Sequence, residues 1–123
     1  MELGSGKAEG QLRKGVLEYC VLSLLRSGPR YGIELIEELA ATGVLATSQG
    51  TIYPLLSRLR RDELVSTSWR ESLSGPPRRY YELTDSGAAS LREFTRSWVR
   101  FKTAVDRVVL PSDQDTDPTQ EAS

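Results

Sequence analysis

The fourteen residues from Ser48 to Arg61, SQGTIYPLLSRLRR, restrict the fold more than any other stretch. Ile52, Leu55, Leu56 and Leu59 fall at i, i+3, i+4 and i+7, which is one apolar face of an α-helix. Other elements must cover that face. Gln49, Tyr53, Ser57 and Arg60 lie opposite, with Arg58 and Arg61 beside them, and no carboxylate occurs before Asp62. One face suits a core. The other carries hydrogen-bond donors and positive charge, as a helix lying against nucleic acid requires. Ser48, three places before Thr51, is the expected N-cap. Pro54 is then six positions in, where its ring and missing N–H disturb a helix. A start at Thr51 would place Pro54 harmlessly in the first turn. The expectation is a Ser48 start, an irregular first turn and a kink at Pro54.

Two helices precede this one. From Gln11 to about Ser27 apolar residues fall nearly all round: Leu12, Val16, Leu17, Tyr19, Cys20, Val21, Leu22, Leu24 and Leu25. Such a helix needs cover on all sides. A partner chain could supply it, or the helix could be central in a compact bundle; the residues leave both readings open. Gly28 and Pro29 stop it. A second helix runs from Tyr31 to about Thr42, with Ile33, Ile36 and Ala40 on one side and Leu35 and Leu39 beside them. Glu34, Glu37 and Glu38 face water, and Gly43 sits at the end as a C′ residue would. Two short helices and a brief link, the second with a polar basic face, form a helix-turn-helix.

After Glu63 the pattern turns β-like. LVSTSWR (64–70) is rich in β-branched and aromatic residues, and RRYYELT (78–84) alternates, Tyr81 and Leu83 against Tyr80 and Glu82. ESLSGPP between them is a turn cluster, so a hairpin with a Gly-Pro-Pro tip and Arg78 and Arg79 just beyond it is expected. Three helices and a basic hairpin make a winged helix. Thr84 starts a last helix, with Asp85 and Ser86 in its favourable first turn. Leu91, Phe94, Trp98, Phe101, Val105 and Val108 are spaced 3, 4, 3, 4, 3, an a/d seam. Dimerisation uses such a seam; folding back on the first helix of the same chain is the other reading.

Composition narrows the function classes. Cys20 is alone and there is no His, so a zinc site, a Ser-His or Cys-His nucleophile and an internal disulfide are all implausible. No phosphate loop occurs, and neither an enzyme nor a cofactor is expected. MELGSGKAEG has no apolar region of a signal peptide, and VLEYCVLSLL (16–25) is too short for a membrane span. A cytoplasmic protein is expected. Net charge is −1, yet Asp113, Asp115, Asp117 and Glu121 all lie in the last thirteen residues, which hold no base. Between Val44 and Thr84 six arginines face four acids, so the middle of the chain is mildly basic. The expected organisation is a mainly α chain with a small β-hairpin. Residues 1–10 are disordered, 11–84 form a winged helix-turn-helix, 85–109 a long dimerisation helix, and 110–123 a disordered acidic tail.

YGIELIEEL (31–39), SQGTIYPLLSRLRRDELV (48–65) and GPPRRYYELTDSG (75–87) together resemble the PadR family of bacterial transcriptional regulators, over roughly Leu12 to Val109. The single short C-terminal helix is similar to the smaller-bodied branch of that family. The Gly-Pro-Pro-Arg-Arg wing departs from the Gly-rich, Lys-bearing tip of many relatives, and the acidic tail is outside the pattern. The resemblance implies a homodimeric repressor with the Ser48 helix in the major groove of double-stranded DNA and the hairpin on the backbone or minor groove. It also implies dimerisation through the last and first helices. Many members respond to small aromatic or multidrug-like ligands; others have no known effector.

On that reading Ser48, Gln49, Thr51, Tyr53 and Ser57 lie at the major groove, where Gln pairs with adenine and the Thr methyl touches thymine. Arg58 and Arg60 fall near phosphates, Tyr31 adds a backbone contact at its helix N-terminus, and Arg78 and Arg79 are wing contacts. The bland alternatives are a solvated face for the arginines and packing against the second helix for Tyr53. Phe94, Trp98 and Phe101 could hold a flat aromatic effector between protomers or simply pack the dimer. A winged helix used only for protein interaction is the competing function, and would need an exposed apolar face on the Ser48 helix.

Overall fold

Ile52, Leu56 and Leu59 are fully buried, so the apolar face read from Ser48 to Arg61 is the one the fold covers. The computed structural model describes residues 2–112. In chain order they form α1 (Glu2–Leu24), a 3-10 turn (Leu25–Ser27), β1 (Arg30–Tyr31), α2 (Gly32–Ala40), α3 (Gln49–Arg61), β2 (Val65–Ser72), β3 (Gly75–Leu83) and α4 (Asp85–Val109). This is the expected mainly helical winged helix. The boundary between two compact units falls inside α4, after Leu91.

The core of the first unit joins Leu17, Val21, Leu22 and Leu25 to Leu35 and Leu39 of α2, the α3 leucines and isoleucine, Val65, Tyr81 and Leu91. On α2 the buried pair is Leu35 and Leu39, with Ile36 at the edge. The helix ends through Gly43, whose φ of 82° reverses the chain.

α3 begins at Gln49 with Ser48 as its extended N-cap residue, and Pro54 lies inside it. The N–H groups of Thr51 and Ile52 both reach the Ser48 carbonyl, at 3.1 and 3.0 Å, and α-helix continues through Pro54 to Arg61. The Ser48 hydroxyl makes no backbone cap; it donates to Thr51 Oγ1 at 3.4 Å. An interior proline costs about 3 kcal/mol. Burying three large aliphatic side chains contributes roughly 2 kcal/mol each, which outweighs it. At the far end the Leu64 N–H bonds the Leu59 carbonyl and the Glu63 N–H that of Arg60. This Schellman closure holds Glu63 at φ 62°, a conformation glycine would adopt more easily.

Three expectations differ from what the structure describes. Over residues 1–10, expected to be disordered, α1 starts at Glu2. Glu2, Leu3, Lys7, Ala8 and Glu9 are good helix formers, and extending a nucleated helix is cheap despite Gly4, Gly6 and Gly10. The hairpin tip is Leu73–Ser74, and Gly75, Pro76 and Pro77 are strand residues. Prolines are tolerated there because β1 pairs β3 only at Tyr80 and Tyr81, leaving the edge beside Pro76 and Pro77 without a strand. The sheet has three strands in the order β1-β3-β2, β1 being unforeseen. Residues 113–123, most of the expected acidic tail, lie outside the described residues.

Thr84 starts α4: its hydroxyl accepts the Gly87 N–H at 3.0 Å and donates to the Glu63 carbonyl at 2.7 Å. No helix among the described residues is long and apolar enough to cross a membrane.

Candidate nucleic-acid interface

At 100° per residue, Gly50, Pro54, Ser57 and Arg61 lie directly opposite the buried stripe of α3. Gln49, Tyr53 and Arg60 form one flank, and Thr51 and Arg58 the other. All but Arg58 are exposed. The side chains of Gln49, Ser57, Arg60 and Arg61 make no hydrogen bond or ion pair among the described residues. They are available to an external partner. Arg61 was not among the expected contact residues, although its place on the helix wheel marks it.

Two expected contacts are otherwise engaged. Arg58 pairs with Glu18 of α1 at 3.0 Å and lies 3.8 Å from Asp62. Its charge ties α3 to α1. The Tyr53 ring lies against Gly32, where an added Cβ would sit 2.5 Å from Cε1. Tyr53 therefore packs on the start of α2, as its bland alternative had it, and remains 37% exposed.

Tyr31 caps α2 through its backbone, its N–H donating to Glu34 Oε1 at 3.1 Å. That carboxylate already meets the positive end of the helix. The Tyr31 ring itself lies under the Arg78 guanidinium at 4.3 Å. Arg30 braces the preceding turn, pairing with Glu38 at 2.8 Å and donating to the Gly28 carbonyl at 2.9 Å.

The wing carries Arg70, Arg78 and Arg79 against Glu71 and Glu82. Register places Trp69 opposite Arg79 and Arg70 opposite Arg78. Arg79 stacks over Trp69 at 4.9 Å, and Arg70 over Tyr80 at 4.7 Å. Trp69 is 64% exposed. Neither Trp69 nor Arg70 was among the expected contact residues; the hairpin register that sets them opposite Arg79 and Arg78 marks them. A groove of about 500 Å³ separates the wing from α2 and α3, lined by Tyr53, Trp69, Arg78, Arg79 and Tyr81, with Glu37 as its one acid. Burial pushes the Tyr81 phenol up, against the lowering pull of Arg79, so it stays neutral at physiological pH. Burial also pushes the half-buried Cys20 thiol up, which disfavours a reactive thiolate.

Leu91, expected in the dimer seam, is 3% exposed and belongs to the core of its own chain. The first turns of α4 close the winged helix, which removes Leu91 from any surface. Beyond it, Phe94 and Trp98 stack with centroids 5.9 Å apart and planes 17° from parallel. Trp98, Phe101, Val105 and Val108 are 40, 65, 41 and 85% exposed.

Residues 21–93 match the profile of the transcriptional regulator PadR-like family. A PadR-like transcription factor of Bacteroides fragilis is 42% identical, with 84% of this chain and 99% of that one aligned and a TM-score of 0.69. A PadR-like transcriptional regulator of Bacillus cereus is 38% identical over 83% of this chain and 99% of its own, with a TM-score of 0.74. A PadR family regulator of Eggerthella lenta is 34% identical over 90% and 96%, with a TM-score of 0.79.

Proposed function

Since the chain belongs to the PadR-like family of transcriptional regulators, proteins that bind DNA and are not enzymes, we propose that it is a homodimeric repressor of a pseudo-palindromic operator. One observation carries this reading. The outward face of α3 presents Gln49, Ser57, Arg60 and Arg61 unpaired, beside an arginine-bearing wing. Gln49 and Ser57 read base edges in the major groove; Arg60 and Arg61 meet flanking phosphates; Arg78 and Arg79 grip the backbone beside the groove. Ser48 and Thr51 complete the first turn, and Tyr53 sets the angle between α2 and α3. Cytoplasmic location follows from that work.

The exposed aromatic and valine side chains of α4 support a second copy as their cover. Two α3 helices then meet half-sites about one DNA turn apart. Gel-shift titration tests the assignment. Arg79→Ala is expected to weaken binding to every sequence, by roughly tenfold for a lost charged hydrogen bond. Gln49→Ala should instead change the preferred sequence. Unchanged operator affinity in both variants sinks the reading.

The stacked Phe94 and Trp98, with Phe101, also suit a planar aromatic effector at the dimer interface. The chain has two tryptophans, so the titration uses Trp69→Phe to leave Trp98 as sole reporter. Quenching by planar aromatic compounds together with release of DNA is the expected result. Neither effect would leave these rings as dimer packing alone.

A further inference from the structure

Alternation along β2 and β3 puts Ser66, Ser68 and Arg70 on the same face as Glu82, Tyr80 and Arg78, and pairing of Tyr31 with Tyr80 adds Tyr31 to it. Arg70 and Arg78 are direct cross-strand partners on this face. Like charges directly opposite each other destabilise an antiparallel ladder. Here each guanidinium leans over a different ring: Arg70 over Tyr80 at 4.7 Å and Arg78 over Tyr31 at 4.3 Å. The two rings meet edge-on at 5.4 Å. The result is a ladder, Arg70–Tyr80–Tyr31–Arg78, with a cation at each end.

Glu37 lines the groove that Arg78 also lines, but no carboxylate pairs with either cation among the described residues. Glu82, the acid on this face, stands opposite Ser66 toward the base of the wing, and neither arginine forms an ion pair among the described residues. An Arg–Glu pair would hold the strands at least as well. Two facing arginines held on tyrosine rings instead suit an anion from outside, and guanidinium matches phosphate oxygens in a fork geometry.

We infer that Arg70 and Arg78 form a phosphodiester clip on the Tyr80 face of the wing, with Tyr80 and Tyr31 as its positioning residues. The inference rests on the DNA-binding reading and adds Arg70 to the wing contacts. Tyr31 also opens α2, so the ring that positions Arg78 is tied to the helix pair that positions α3. The clip grips the backbone while α3 lies in the groove.

The test uses the full chain, a fragment of its own promoter and a random-sequence duplex, each titrated across salt concentrations. Arg70→Gln is expected to weaken binding to both duplexes by roughly tenfold. It should also lower the magnitude of the log affinity against log salt slope by about 0.9, one phosphate's share. Tyr80→Phe keeps the ring and should bind as the unaltered chain does; Tyr80→Leu should share the Arg70→Gln loss, with circular dichroism confirming the fold. Inorganic phosphate at matched ionic strength should displace DNA no better than chloride. An unchanged salt slope in Arg70→Gln, or a loss confined to one sequence, overturns the clip alone. Selective displacement by inorganic phosphate that vanishes in Arg70→Gln makes it a free-anion site and also overturns it. Failure of the unaltered chain to bind any duplex overturns both the clip and the proposed function.

Discussion

Gly87→Ala is expected to lower the melting temperature by roughly 8 °C, from a net loss of about 2 kcal/mol in a domain of this size. An added Cβ would overlap the Leu64 carbonyl oxygen and sit 2.8 Å from Leu83 Cδ1. The carbonyl cannot simply move away. It accepts the Thr84 N–H at 3.2 Å, and the preceding Glu63 carbonyl accepts the Thr84 hydroxyl at 2.7 Å. Overpacking costs about 1–3 kcal/mol, and pinned backbone belongs at or beyond the top of that range. Alanine recovers about 1 kcal/mol of helix propensity, which leaves the balance unfavourable. Gly15→Ala is the control. Gly15 lies in α1 with nothing within 4 Å of an added Cβ, so propensity acts alone and stability should rise by about 0.5–1 kcal/mol. Thermal melts of both variants decide the matter. If Gly87→Ala melts with or above the unaltered chain, the corner is not tightly packed.

The corner also shows which parts of the fold were legible in the sequence. Thr84 could be read as the start of α4 because a hydroxyl residue before Asp85 and Ser86 is a local capping signal. The buried stripe of α3 and the alternation of Tyr81 and Leu83 are likewise local periodicities. The need for glycine at 87 was not legible, since Leu64 and Leu83 approach it only after folding. β1 is two residues long and carries no periodicity at all. Gly-Pro-Pro looked like a turn because these residues break most strands; that β3 is unpaired on one side at Pro76 and Pro77 is a property of the sheet.

The interface divides the same way. Arg60, Arg78 and Arg79 could be proposed from the sequence because each is a charge near a helix face or a hairpin. The ion pair of Arg58 with Glu18 could not be anticipated, because the two lie 40 residues apart in the chain. Tyr53 was assigned to the groove because the notch at Gly32 that receives its ring belongs to another helix. Alternation alone placed Tyr80 on the face opposite Tyr81, and the rings beneath Arg70 and Arg78 were not foreseen for a similar reason: strand register brings rings and guanidinium groups together.

Phe101→Asp is expected to give a folded monomer whose operator affinity is reduced by about 100-fold or more. Phe101 is 65% exposed within its own chain, so a polar residue there removes little intrachain packing. Its far-UV circular dichroism and melting should therefore stay close to those of the unaltered chain at low protein concentration. In the proposed dimer the same position falls mid-seam between Trp98 and Val105, and two carboxylates would be desolvated close together. Without dimerisation each α3 meets its half-site alone, and the effective-concentration gain of a linked second site, about 10² to 10⁴, is lost. Leu91→Ala provides the contrast. Leu91 is 3% exposed and packed in the core, so its truncation should cost about 2–5 kcal/mol of folding stability, whatever the oligomeric state. Analytical ultracentrifugation and gel-shift titration of the two variants separate a seam that binds a second copy from one that packs its own chain. A Phe101→Asp protein that sediments as a dimer and holds the operator tightly would remove α4 from the proposed interface.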